Sequence, residues 1–152
     1  MKKLRDIMRS GFLFTVQKTA TVSEAIHLMA DHNVGIVIVL DRDRLAGVFS
    51  ERDVVRRVLH QGLDSATLPV GDVMTADVVT ADAEMDYESA MSAMDEAGIR
   101  HLLVTSGSKM LSMISIRDLT RAVLRDREEE VQYLREYLYQ VPMQSPAPYT
   151  SA

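Results

Sequence analysis

The chain has 152 residues, 47% hydrophobic and 26% charged, the composition of one ordinary globular domain with little room for extended disorder. It has no cysteine, which excludes disulfides and thiolate metal sites, and its net charge of −5 disfavours a broad phosphate-tracking nucleic-acid surface. No apolar run approaches the roughly 20 residues that span a bilayer, and the basic residues near Met1 have no apolar core behind them. The expectation is a cytoplasmic protein with no signal peptide and no membrane partner.

In chain order, residues 1–10 read as a short amphipathic lead-in with Leu4, Ile7 and Met8 on one face. Phe12 to Val16 is the first strand candidate. Thr21-Val22-Ser23-Glu24 has capping-box spacing and opens a helix that Asp31-His32-Asn33 ends. Val34 to Leu40, rich in Val and Ile, suits a buried strand, and Leu45 to Phe49 returns from it across the polar turn Asp41 to Arg44. A helix then runs from near Glu51 to about His60. Gly62 and Pro69 mark a connector, and the order repeats. Val70 to Met74 leads in, followed by strand Val78 to Thr80, helix Asp86 to Glu96 stopped by Gly98, strand Ile99 to Thr105 and strand Met110 to Ile114. The last helix, from Ile116, continues through the charged run Arg125 to Glu130 into Val131, Leu134 and Leu138, which share one helical face. Pro142 is expected to end it.

The repetition is one of residues as well as of elements. Gly47-Val48-Phe49-Ser50-Glu51-Arg52-Asp53 returns as Ser112-Met113-Ile114-Ser115-Ile116-Arg117-Asp118, at an offset of 115 − 50 = 65. Thr15 and Thr80, Ala25 and Ala90, and Met29 and Met94 keep that offset, while Asp6-Ile7-Met8 and Asp72-Val73-Met74 stand 66 apart. A unit of about 65 residues is marginal by itself, so two halves sharing one core is the natural arrangement. The expected fold class is α/β (α+β): two β-α-β-β-α repeats packed with pseudo-twofold symmetry, plus a C-terminal helical extension. The boundaries are 1–65 and 66–125 for the repeats, 126–141 for the extension and 142–152 for a disordered tail.

Two such units, each closing on an apolar strand, Ser-x-Arg-Asp and a helix, resemble a pair of cystathionine β-synthase (CBS) domains, the Bateman module. The likeness covers about residues 1–125. It implies two clefts between the repeats that bind adenosine compounds such as AMP, ADP, ATP, NAD(H) or S-adenosylmethionine, no obligatory cofactor, frequent homodimerisation, and regulation of an effector protein that the sequence leaves unidentified. Ser112 stands where the family usually has Gly, Leu103 where Pro is common, and Gln17-Lys18-Thr19 lacks a frequent proline. The Ser112 side chain is expected to narrow a cleft.

The candidate site residues follow from both lines of reasoning. Asp53 and Asp118, at strand-to-helix junctions, suit vicinal ribose hydroxyls. Ser50 and Ser115 offer hydroxyls beside backbone N–H groups, and Arg52 and Arg117 offer charge-assisted phosphate contacts. The competing structural role is local: Ser as N-cap, Asp in the first turn. Thr15, Val16, Val79 and Thr80 match the family's first strand, whose backbone reads adenine, although Thr is also an ordinary strand residue. Arg100-His101 opens an apolar strand with a basic pair that needs a partner, whereas its counterparts are Gly35 and Ile36. One strong anionic cleft and one weak or empty one are therefore expected.

His27 and His32 are five apart and do not share a helical face, and the ten methionines read as core filler. No nucleophile constellation, Gly-rich phosphate loop or metal motif is present, so catalysis is not expected. The leading expectation is a ligand-sensing regulatory module. The alternative is a constitutive dimerisation or scaffold module with vestigial clefts, and nucleic-acid binding is a weaker third.

Overall fold

The structure is a computed structural model that describes residues 2–8 and 13–140. Helix α1 (Leu4–Ile7) precedes the first half, which contains β1 (Thr15–Gln17), α2 (Val22–His32), β2 (Ile36–Asp41), β3 (Arg44–Ser50) and α3 (Glu51–Asp53). A 3-10 turn at Val70–Asp72 leads into β4 (Thr80–Asp82), α4 (Tyr87–Ala97), β5 (His101–Ser106), β6 (Lys109–Ser115) and α5 (Ile116–Gln140). Each half holds a three-stranded sheet, β1-β2-β3 and β4-β5-β6. The mixed α+β architecture and the C-terminal helix agree with the expected class.

Local chemistry accounts for the boundaries. Thr21 Oγ1 accepts from the Glu24 N–H at 3.2 Å, and Glu24 Oε2 accepts from the Thr21 N–H at 2.7 Å, closing the capping box that opens α2. That helix ends on Asn33 and α4 on Gly98, both left-handed at φ 51° and 63°. The offset of 65 governs hydrogen bonds as well as letters. Thr15 pairs with Ile38 as Thr80 does with Leu103, and the ladders slip at equivalent places, Val39/Leu40 and Val104/Thr105. The Glu51 N–H donates to Gly35 O at 3.0 Å, and the Ile116 N–H donates to Arg100 O at 2.9 Å.

Several expected limits move. The first strand of each half begins at Thr15 or Thr80, because parallel pairing to the central strand starts there; Val78 and Val79 precede it. The helix expected from Glu51 to His60 keeps an α register only over Glu51–Asp53 and is π-helical over Val54–Leu59. Its wider turn closes five-residue bonds, such as His60 N–H to Val55 O at 2.9 Å, which a 3.6-residue apolar period does not signal. The final helix does run on, unbroken for 25 residues. Phe12 at the head of the first strand, the stop at Pro142 and the tail at 142–152 lie outside the described residues.

The two lead-in segments pack on the opposite halves. Leu4 is fully buried with Ala90, Met94, Leu102, Val104, Ile114 and Leu119 of the second half, and Val70 and Val73 complete the core around Val22, Val37, Val39, Phe49 and Val58 of the first. Equivalent backbone bonds hold them: Leu4 N–H to Met85 O at 2.9 Å, and Val70 N–H to Ala20 O at 2.8 Å. Neither half closes its core without a segment that belongs by sequence to the other.

This crossing explains one departure from the repeat. The chain at Met74-Thr75 lies against β3, where a Cβ on Gly47 would stand 2.5 Å from Thr75 O and 2.8 Å from Met74 Sδ. Ser112, its counterpart, is buried opposite Val104 in the second sheet. Gly47→Ala is expected to destabilise the fold by about 1–3 kcal/mol, the usual cost of overpacking. Leu4→Ala is expected to cost about 2–5 kcal/mol as a buried truncation. Urea unfolding followed by circular dichroism measures both.

Candidate functional site

Each signature forms the same local structure. The Ser50 N–H and Oγ donate to Asp53 Oδ2 at 2.9 and 3.1 Å, and the Asp53 N–H donates to Ser50 Oγ at 3.3 Å. At the second copy, Ser115 N–H and Oγ reach Asp118 Oδ2 at 2.9 and 2.7 Å, and the Asp118 N–H reaches Ser115 Oγ at 3.2 Å. The capping role weighed for these residues is thus realised in both halves, and each uses only one carboxylate oxygen. The other oxygen of Asp53 has two long neighbours, Thr75 Oγ1 at 3.4 Å and Arg57 Nε at 3.5 Å. It keeps acceptor capacity toward the adjacent cavity.

That cavity, about 200 Å³, lies between the halves. Its first wall carries Gly35, Ser50, Glu51, Arg52 and Asp53. Facing them are Asp77, Val79, Arg100 and His101, with Leu103 and Met113 below. Six of the residues singled out from sequence therefore meet: Ser50, Arg52, Asp53, Val79, Arg100 and His101. The basic pair of the second half lines the same cavity as the Ser-Asp signature of the first. Ser115, Arg117 and Asp118 do not line this cavity, nor do Thr15, Val16 and Thr80, and Ser112 is not among its lining residues. Thr15 and Thr80 are exposed on their strands.

Sequence reasoning passed over Glu51, Asp77 and Gly35. Glu51 is the unspecified residue of Ser-x-Arg-Asp, Asp77 sits in the connector, and Gly35 entered only as the missing counterpart of Arg100. A Cβ on Gly35 would lie 3.4 Å from Glu51 Oε2 and 3.6 Å from both Cε1 and Nε2 of His101. The absent side chain leaves the space in which the imidazole and the carboxylate converge. Arg52 donates from Nη1 to Gly98 O at 3.4 Å, tying the first signature to the end of α4.

Burial lowers the His101 pKa below its ordinary 6.5. The Asp118 and Glu51 carboxylates pull it upward, the Arg100 and Arg52 guanidiniums push it down, and desolvation is the largest influence. His101 is therefore neutral at pH 7, and the charges facing the cavity are two guanidiniums against the carboxylates of Glu51, Asp53 and Asp77. No group of three metal-ligating side chains occurs among the described residues. His32 instead stacks on Phe14, with ring centres 4.6 Å apart.

Comparison with known proteins identifies the fold's family. The CBS domain family profile matches residues 4–60 and 70–125. The chain belongs to the CBS domain family. Both copies of its CBS fold are matched, and the unmatched gap is the connector before Val70. A mitochondrial CBS domain-containing protein of Arabidopsis thaliana is 37% identical over 78% of this chain, which spans 60% of that longer relative. A CBS domain-containing protein of Bacillus subtilis is 32% identical, covering 78% of this chain and 84% of its own. The structure of a Burkholderia ambifaria protein with CBS domains superposes with a TM-score of 0.79 at 34% identity, covering 82% of this chain and 96% of that one. CBS pairs are generally regulatory, ligand-binding modules rather than catalysts. None of the helices among the described residues is long and apolar enough to cross a membrane.

The depressed His101 pKa has a consequence for stability. The folded protein binds that proton less tightly than the unfolded chain, so the neutral imidazole's contribution is present above pH 6.5 and is lost as pH falls through the lower folded value. Wild type is expected to lose more stability than His101→Gln between pH 7.5 and pH 5. Denaturant midpoints at the two pH values make the comparison.

Proposed function

We propose that the CBS pair is a sensor of an adenine nucleotide, which binds in the cavity between the halves and signals to an effector protein through the conformation of a homodimer. The observation that carries the reading is the meeting of Asp53 with Arg52, Arg100 and His101 across one cavity. The Asp53 oxygen outside the cap, held only by long contacts to Thr75 and Arg57, suits a ribose hydroxyl, and the apolar Val79, Leu103 and Met113 suit a purine face. Arg52 and Arg100 suit phosphate. A bound phosphate beside His101 draws its proton back, adding a third positive group only when the ligand is present. Signalling requires that the ligand bind one dimer arrangement better than the other.

The charge balance favours a lightly charged ligand. Two guanidiniums among three carboxylates suit a nucleoside monophosphate or a dinucleotide better than a triphosphate, whose additional charge meets Glu51 and Asp77. The rival reading, a constitutive dimerisation module with vestigial clefts, draws on α5, whose final turns are exposed along their whole length.

Isothermal titration with AMP, ADP, ATP, NAD(H) and S-adenosylmethionine tests the proposal. AMP or NAD(H) is expected to bind more tightly than ATP, at one strong site per chain. Arg100→Ala should weaken that site about 10–100-fold, the worth of a hydrogen bond to a charged group. Asp53→Asn keeps the cap's size and should also weaken binding, with Asp118→Asn having the smaller effect. No binding by any compound would favour the rival, and two equal sites per chain would contradict the asymmetry of the clefts.

A further inference from the structure

From Arg127 to Gln140, the last fourteen residues of α5, every residue is exposed. Upstream the helix is anchored by buried Leu119 and by the pairing of Lys2 with Asp126. Beyond that point Lys2 Nζ still reaches Glu129 Oε2 at 3.9 Å, but no described residue buries the helix, and a helix of this length is marginal in water unless an amphipathic face is packed. Such a face exists. Val131, Leu134 and Leu138 are 48%, 51% and 72% exposed and continue the line of Leu124, itself exposed, at heptad a and d spacing.

We infer that this segment is an interface with a second copy of the chain, in which the two α5 ends pair antiparallel with Val131 of each set against Leu134 of the other. Three features of the sequence on this helix fit that register. Arg127 falls on the same seam; parallel pairing would face it with its own copy, whereas the antiparallel register sets it against Leu138 near the edge, where its guanidinium reaches water. Glu128 and Arg135 flank the seam and oppose each other across the interface twice, once for each symmetry-related pair. Length also fits. The exposed span, about 21 Å at 1.5 Å per residue, overlies itself almost completely in this register, bringing Gln140 of one copy opposite Arg125 of the other, where the helix leaves its own module.

None of the interface residues lines the cavity, so substitutions there leave the cavity's own side chains in place. The test is the mass of the full chain by light scattering after size exclusion at micromolar concentration. Leu134→Asp with Leu138→Asp should halve the wild-type mass while leaving the module's circular dichroism spectrum unchanged. An unaltered mass, or a monomeric wild type, would overturn the inference and leave the stripe to a different partner. Orientation is read separately, in a chain with no cysteine of its own. Val131→Cys and Leu134→Cys should cross-link on mild oxidation when mixed and not when each is alone. Cross-linking of each variant alone would indicate parallel helices, and no cross-linking in any mixture would also refute the pairing.

Discussion

The molecule depends on the exchange of lead-in segments between its halves. Each three-stranded sheet has one face that must be covered, and its own helices leave a gap filled in one case by Leu4 and in the other by Val70 and Val73. Burial of a Leu side chain contributes roughly 1.5–3 kcal/mol, a large part of what a 65-residue unit can muster alone. The exchange makes the pair the folding unit. It also brings Gly35, just before β2, beside His101, the first residue of β5.

The cavity inherits its character from that constraint. Symmetric backbones carry unlike side chains at equivalent places: Gly35 and Arg100 each offer a carbonyl to the first N–H of a signature helix, but only one has a side chain. Glu51, Arg52, Asp53, Arg100 and His101 line one cavity, with steric room on one side and positive charge on the other. In the first Ser-Asp pair one residue closes the cap and lines the cavity: one oxygen of Asp53 accepts from Ser50, and the other meets Thr75 and Arg57.

Much of this was legible in the letters. The duplicated signature, the capping box at Thr21, the stops at Asn33 and Gly98 and the long final helix depend on interactions within a few residues, and local interactions leave local patterns. The π-helical turn at Val54–Leu59 and the late start of each first strand left no such pattern. The former is a change of hydrogen-bond partner without a change of composition, and the latter is set by a strand more than twenty residues away. Glu51 and Asp77 escaped notice because nothing in their own neighbourhoods distinguishes them from exposed charges.

Sequence alone therefore determined the repeat, the class of fold and the family, because periodicity, capping and duplication are properties of short stretches. Tertiary structure decided which of the candidate site residues share a cavity. Arg100 and His101 line one cavity with Ser50 and Asp53 of the other half because the chain before β2 comes up against the start of β5, and sequence distance carries no record of that meeting. It likewise decided that Gly47 must stay small and that the end of α5 is exposed among the described residues. Both follow from where a distant segment does or does not pass.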